Sequence, residues 1–559
     1  MTPLPPLHPF VGQDVWRLVA DRARLDGDRT FLTWQPFDGE PRTWTYAELH
    51  DQALQVAAGL QARGVGAGDR VLIHLENCPE FLLAWFGCAA LHAVAVTTNA
   101  RASADELAYF IADSGARWAL TQPAYARLVA QAGPELELVA STADDPGLAE
   151  DPGLPEAAAG PVEGVVAFAD LLGDPAGLAL PDPDPAAPLS IQYTSGTTAR
   201  PKGVLWTQAN GLWAGRVNAA HEGLVASDCQ LVYMPLFHTN AMAYSVLASM
   251  WVGARVVLVH KWSTSRFWEL SVAHGCTFLS LMGLSLRTVL GTRAPEGHSY
   301  RCFGGPLVAD FRTPFGVDCI AWWGMTETVS HPVHSGGLVD PPPRTIGRPA
   351  SEYDVEVRHP DGTPVKPGET GELVVRGVPG LSMFAEYWNN PEATAAAYDE
   401  HGWFATGDLV RVEADGSMSF VDRLKDMLKV GAENVAASEI ERVVATVPGV
   451  AEAAVVGRPD ASLDEVPVVV VVPVDGLAGA DLDTLPERVR ATCAELLADF
   501  KVPRAVHVVR ALPRSTISKV NKAELRRTLG DHGDADEALA RAEAGWAAAQ
   551  VRDPSGDEA

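Results

Sequence analysis

Thr194-Ser195-Gly196-Thr197-Thr198-Ala199-Arg200-Pro201-Lys202-Gly203 is small, hydroxyl-rich and bounded by glycine, with one lysine near its end. The preceding Leu189-Ser190-Ile191-Gln192-Tyr193 alternates apolar and polar residues and reads as a strand. A strand feeding such a loop suits polyphosphate. Backbone N–H groups and hydroxyls face the anion, and glycines let the backbone approach it closely. The spacing is not that of the Walker loop, which needs Gly-x4-Gly-Lys-[Ser/Thr]. Here six residues separate Gly196 from Gly203, and the lysine precedes the second glycine. A plain Ser/Thr/Gly loop accounts for the composition but not for the order.

The chain around this loop is 559 residues long, too long for one core, and should hold two to four domains. Hydrophobic residues make up 47%, enough for a large interior. The formal net charge of −28 argues against nucleic acid or an anionic membrane surface as a partner. It also means that an anionic ligand needs local cations or a metal. The seven cysteines are scattered, odd in number and never spaced Cys-x2-Cys. A reduced cytoplasmic protein without disulfides or zinc fits them. Met1 to Pro6 carries no signal-peptide pattern. The longest apolar stretch, Phe81 to Val96, is short of a membrane span, contains His92, and reads as a buried helix followed by a strand.

Helical and strand-like patterns alternate over residues 12–130. Thr45 to Leu49 opens a helix to about Ala62, Arg70 to His74 is a strand, and Ser103 with Glu106 forms a capping box. This alternation implies an α/β fold with largely parallel sheets. Residues 141–187, rich in Asp, Pro, Gly and Ala, read as surface connection, and Ala254 to Val259 as a buried strand. From Ile346 the pattern turns strand-rich, as in Tyr353 to Val357 and Gly371 to Arg376, which suggests a small β-subdomain. After Asp422 a small α+β unit begins: a helix from Ser438, a strand Val466 to Val474 and a helix from Leu485. Residues 531–559 are acidic and Ala-rich and read as a tail, with helical potential around Ala535 to Val551.

The loop resembles the phosphate-loop signature of the acyl-adenylate-forming (AMP-binding) superfamily: acyl-CoA synthetases, peptide-synthetase adenylation domains and luciferases. The resemblance runs through residues 10–530 in the family's order. Trp323-Gly324-Met325-Thr326-Glu327 resembles its second motif and Thr406-Gly407-Asp408 its third. Asp422-Arg423-Leu424-Lys425-Asp426 resembles its hinge, and Pro513 to Lys519 its C-terminal lysine motif. Val257 to Trp268 and Pro235-Leu236-Phe237-His238 are most similar to the carnitine/crotonobetaine-type CoA ligases. The resemblance implies a large N-terminal domain over 1–424 and a mobile α+β lid over 425–530, hinged at Lys425. The stretch 531–559 is left as the tail.

The resemblance also implies the chemistry. Thr194, Ser195, Gly196, Thr197, Thr198 and Lys202 would contact the β- and γ-phosphates of ATP. Glu327, beside the hydroxyl of Thr326, would ligate Mg2+, a hard cation that usually takes one or two protein carboxylates plus phosphate oxygens. Trp323, where the family usually has Tyr, would stack on adenine against Gly304, Gly305 and Pro306, with Gly324 and Met325 alongside. Asp408 would accept from both ribose hydroxyls, with Arg423 beside it. Lys519 would reach the substrate carboxylate and the α-phosphate, with Lys522 as the competing lysine of a basic segment. His238 reads either as a residue of the acyl/CoA tunnel or as a core histidine. The acid pocket is expected from Val232 to Tyr244 and Phe278 to Leu286, mostly apolar, with Asn240, Ser280 and Ser285 as polar exceptions.

Three family glycines are replaced, by Ala199, Ala432 and Ser518, and Gln208 stands where the family usually has histidine. The Ala432 methyl would narrow the pantetheine path. The expected reaction is therefore activation of an acid by ATP, with release of pyrophosphate, then transfer to CoA. Transfer to an amine or a carrier protein, or nitrite activation in diazotase-type chemistry, is the alternative.

Overall fold

The computed structural model describes residues 8–100, 102–145, 162–194, 201–336, 341–423, 426–430, 433–460, 463–497, 499–514, 520–530 and 535–551. Two large sheets dominate it. In the first, eight strands run in the order Glu386–Tyr387, Lys202–Thr207, Pro188–Thr194, Val94–Thr97, Arg70–His74, Trp118–Thr121, Leu138–Ser141 and Val165–Ala167. The second has nine strands: Arg348–Pro349, Val333–His334, Asp318–Trp323, Cys302–Gly305, Phe278–Ser280, Cys229–Val232, Arg255–Val259, Thr30–Gln35 and Arg42–Thr45. The centres of both are parallel, with antiparallel strands at the edges.

Local sequence explains these elements. Thr45 and Glu48 satisfy each other's backbone N–H groups and start the helix Tyr46–Gln61. Ser103 and Glu106 do the same for Ala104–Ser114. The apolar run from Phe81 divides as expected: the helix Pro79–Ala90, buried throughout except at Glu80, then the strand Val94–Thr97. Gly87 lets that helix approach its neighbour, because a Cβ there would lie 3.0 Å from the Val56 side chain and 3.2 Å from the Ala53 carbonyl. Among the described residues, no helix is long and apolar enough to cross a membrane.

Asn77 ties the two sheets together. Its amide nitrogen lies 3.4, 3.0 and 3.2 Å from the carbonyls of Tyr233, Met234 and Val259, and its oxygen accepts from Leu236 N–H at 2.8 Å. A four-stranded antiparallel sheet follows, Asp354–Arg358, Thr370–Arg376, Phe404–Val412 and Met418–Arg423. Beyond it lies a five-stranded sheet of Glu433–Ala436, Met427–Val430, Asp464–Pro473, Val450–Asp460 and Ala505–Val508, flanked by the helices Ala437–Val444, Leu485–Leu496 and Lys522–Gly530.

One segment differs from its reading as surface connection, and within the tail the helical potential around Ala535 to Val551 is realised. Val165–Ala167 adds an edge strand to the eight-stranded sheet, and the following turn buries Phe168 and Leu171. Hydrophobic residues embedded in a polar, Pro-rich context gave no periodicity to read. Residues 535–551 form a helix whose Leu539 and Trp546 are buried against Val456, Val468, Val470, Leu525 and Leu529. Those two side chains anchor a stretch whose acidic, Ala-rich composition conceals its apolar contacts.

Candidate active site

The strand Asp318–Trp323 organises the site. Successive side chains on a strand point to opposite faces, so Trp322 and Trp323 lie on opposite faces of the sheet. Trp323 is buried and its Nε1 donates to Asp408 Oδ2 at 2.9 Å. Asp408 also receives Arg423 Nε at 3.2 Å on Oδ1, across the antiparallel pair in which the two residues are direct partners. A bulge between Glu372 and Val374 shifts the register next to this position. Gly407 takes a φ of +71°, which favours glycine, and its N–H is held by Glu372 at 3.1 Å. Thr406 fixes the same stretch of the strand Phe404–Val412 by donating to the Leu373 carbonyl at 2.6 Å. The Thr-Gly-Asp motif is thus a local device that aims one buried carboxylate at the tryptophan face of the neighbouring sheet.

Beyond Trp323 the chain passes Gly324 and Met325 into a tight turn, Thr326–Thr328. Gly324 is obligatory, because a Cβ would lie 2.5 Å from the Ser330 carbonyl and 2.7 Å from the Tyr244 hydroxyl. The turn buries Glu327, whose carboxyl is pushed up by burial and drawn back by a hydrogen bond from Tyr387 and by the charges of Lys202 and Arg423. Tyr387 donates to Glu327 Oε1 at 2.9 Å, and Lys202 Nζ sits 4.6 Å from the centre of the Tyr387 ring. Thr326 lies beside them. Its carbonyl accepts from Trp206 Nε1 at 2.9 Å, and its hydroxyl is 3.3 Å from Thr239, which is 3.1 Å from Gln192 Oε1.

These contacts bring Lys202, Thr326 and Glu327 together, and separately Trp323, Asp408 and Arg423. Thr194 ends its strand paired with Lys202. Gly304 and Gly305 end the strand Cys302–Gly305, next to the half-buried Pro306. Sequence reasoning missed Tyr387, Trp206, Thr239 and Gln192, which hold the turn in place. Only Gln192 carried a signal, as a polar residue in an otherwise buried strand. Ser195, Gly196, Thr197, Thr198, Lys425 and Lys519 lie outside the described residues, as do Ala199, Ala432 and Ser518.

On the acid side, His238 is half-buried with its ring 4.2 Å from that of Phe237. Asn240 opens a π-helix, Asn240–Leu247, a distortion frequent at functional sites. Ser280 closes the strand Phe278–Ser280 and pairs with Gly304. Asn240 Oδ1 and Ser280 Oγ have no hydrogen-bond partner among the described residues, whereas Ser285 Oγ meets the Tyr233 hydroxyl at 2.5 Å. Gln208 is fully buried and caps Val15 N–H at 3.1 Å, a packing role for the residue that replaces the family's histidine.

Residues 19–388 match the AMP-binding enzyme family and residues 439–519 the AMP-binding enzyme C-terminal domain. The chain belongs to the AMP-binding enzyme family. A crotonobetaine/carnitine–CoA ligase of Citrobacter koseri is 31% identical over 92% of this chain and 99% of its own length. Among solved structures, an o-succinylbenzoate–CoA synthetase of Bacillus subtilis in complex with AMP superposes with a TM-score of 0.76 at 26% identity, covering 93% of this chain and 98% of that one. That enzyme has also been solved with ATP and magnesium ion. ATP-bound MatB of Rhodopseudomonas palustris gives 0.77 at 26% identity, covering 92% and 99%. These two structures share the overall fold described above.

Proposed function

We propose that this chain is an ATP-dependent, AMP-forming acid–CoA ligase. A carboxylate oxygen of the acid attacks the α-phosphorus of ATP, the bond to the pyrophosphate oxygen breaks, and an acyl-adenylate forms. The thiol of CoA, losing its proton, then attacks the acyl carbon, and AMP leaves. The observation that carries this reading is the pairing of Trp323, Asp408 and Arg423 on one side of the Gly324–Thr326 turn with Lys202 and Glu327 on the other. In this reading the first group would hold the ribose and base of a nucleotide, and Lys202 and Glu327 would meet its phosphates.

Glu327 fits a magnesium ion. It is a buried carboxylate whose pKa is raised by burial, and a divalent cation relieves that cost by favouring the ionised form. Among the described residues no group of three or more His, Cys, Asp or Glu could hold a metal, so Glu327 would share the ion with phosphate oxygens. Bound there, Mg2+ supplies charge neutralisation at the polyphosphate. Lys202 adds a second positive charge, and Asp408 and Trp323 fix the nucleoside so that the phosphorus faces the acid. No protein nucleophile is required, and positioning and electrostatics dominate. We assign Lys519 to the charge that develops at the carboxylate and α-phosphate, and the hinge between residues 1–424 and the lid 425–530 to Lys425. His238, Asn240 and Ser280 are assigned to the acid side.

The CoA ligases among the relatives support CoA over an amine, a carrier protein or nitrite chemistry as the acceptor step. The free state of all seven cysteines suits the cytoplasm, where ATP and CoA are available. The test is pyrophosphate release from ATP across a panel of acids and nitrite, with and without CoA. AMP and an acyl thioester are the expected products. ADP would overturn the adenylate reading, and transfer that ignores CoA would overturn the ligase reading.

A further inference from the structure

One helix holds the stretch read as the phosphate loop on both sides. Tyr193 pairs with Gly203 and Thr194 with Lys202, and there the antiparallel ladder ends. Pro201 lies one residue past it. Its carbonyl is taken by a side chain instead: the Tyr109 hydroxyl donates to it at 2.9 Å. Tyr109 belongs to the helix Ala104–Ser114. One turn further on, Asp113 Oδ2 accepts the Tyr193 hydroxyl at 2.8 Å. Residues four apart share a helix face. A single face therefore grips the strand that enters the loop and the residue that leaves it.

The same helix end gathers a third strand. The Asp113 carbonyl accepts Trp388 Nε1 at 3.1 Å and Asn389 Nδ2 at 2.7 Å. The Trp388 N–H donates to the Gly203 carbonyl at 2.7 Å. Trp388 follows the edge strand Glu386–Tyr387, which pairs with Val204 and Leu205. That strand presents the ring beneath Lys202 Nζ and the hydroxyl that meets Glu327. Helix Ala104–Ser114 thus fixes the two peptides that set the place of Lys202.

The two hydroxyls are not there to fill space. Phenylalanine at 109 or 193 would keep the ring contacts, in which Tyr193 lies 4.4 Å from Phe110 and 6.1 Å from Tyr109. The hydroxyls add direction, each fixing one end of the stem. Burial, with Asp113 beside it, raises the Tyr193 pKa, so the phenol stays protonated and donates.

Resting on the reading that residues 194–202 meet the β- and γ-phosphates of ATP, we propose that Tyr109, with Asp113 and Tyr193, positions this stem for polyphosphate. These are positioning residues, acting through Pro201 and Lys202. Their influence is confined to ligands that carry the outer phosphates. AMP, assigned to Trp323, Asp408 and Arg423, is insensitive to them.

The test measures Kd of the full chain for ATP and for AMP by isothermal titration calorimetry, with Mg2+ and without acid. Tyr109→Phe should weaken ATP by about three- to tenfold, the worth of one neutral hydrogen bond, and leave AMP unchanged. Inhibition by pyrophosphate should weaken in parallel, and KM for the acid should stay in place. If that variant does not fold, Tyr193→Phe, which removes the bond to Asp113, is read in its place with the same expectation. Equal weakening of ATP and AMP would mark a general structural role and overturn the inference, as would no change in either. Lys202→Ala separates the underlying reading. If Lys202→Ala lowers the preference for ATP over AMP and the tyrosine variant does not, this inference alone falls. If Lys202→Ala leaves the preference intact, the phosphate reading falls and takes the inference with it.

Discussion

Trp323 Nε1 donates to Asp408 Oδ2 at 2.9 Å while Arg423 Nε holds Oδ1 at 3.2 Å, so each carboxylate oxygen has its own protein donor. The tryptophan that replaces the family's usual tyrosine is therefore more than a flat surface for a base. Its indole N–H orients the group assigned to the ribose. Trp323→Phe should keep the aromatic face and lose the tether. Hydrogen bonds to charged groups contribute about 1.5–3 kcal/mol. We expect KM for ATP to rise about tenfold, with kcat for adenylation falling much less. An unchanged KM would show that Arg423 orients Asp408 alone.

Tyr387 and Glu327 give a pH-dependent expectation. Burial raises the Glu327 pKa, and the Tyr387 hydroxyl lowers it by donating to the ionised form. Removing that donor in Tyr387→Phe raises the pKa further. The ionised carboxylate, the form assigned to Mg2+, is then present only at higher pH. The acidic limb of the pH–rate profile should move upward and the Mg2+ concentration for half-maximal rate should increase. A profile that stays in place would dissociate Tyr387 from the metal role.

Lys519 is the residue assigned to the developing charge. Lys519→Ala should lower pyrophosphate formation by on the order of 10²-fold or more with the fold intact by circular dichroism. Lys522, whose Nζ pairs with Glu441 at 2.9 Å, should tolerate the same change with little loss of rate. A reversal of the two effects would exchange their roles.

The second half-reaction is tested at Ala432 and Lys425. If the Ala432 methyl obstructs pantetheine, Ala432→Gly raises CoA-dependent turnover and leaves adenylation nearly unchanged. Lys425→Pro fixes a backbone φ at the assigned hinge, so thioester formation should suffer more than adenylation. Equal losses in both steps would move the hinge elsewhere.

What was legible in the sequence was whatever is encoded locally. The helix start at Thr45, the capping box at Ser103 and the strands Arg70–His74 and Pro188–Thr194 all follow from neighbours a few residues apart. Tyr387 was invisible because it meets Glu327 from 60 residues away, through an edge strand only two residues long. The tether between Trp323 and Asp408 spans 85 residues and two sheets. The helix Ala535–Val551 was legible only as helical potential in an acidic, Ala-rich tail, because its packing rests on two side chains, Leu539 and Trp546, whose partners are distant in sequence.

The Asn77 amide has a consequence for motion. It joins the chain just past Arg70–His74 to the ends of Cys229–Val232 and Arg255–Val259. Sliding one sheet past the other by a single strand repeat, about 3.3 Å, would break every one of these bonds at once. The residues assigned to ATP and to the acid on these two sheets are therefore coupled through Asn77. In hydrogen-exchange experiments the backbone amide of Leu236, held by Asn77, should be among the slowest to exchange, and that protection should persist whether or not nucleotide is bound.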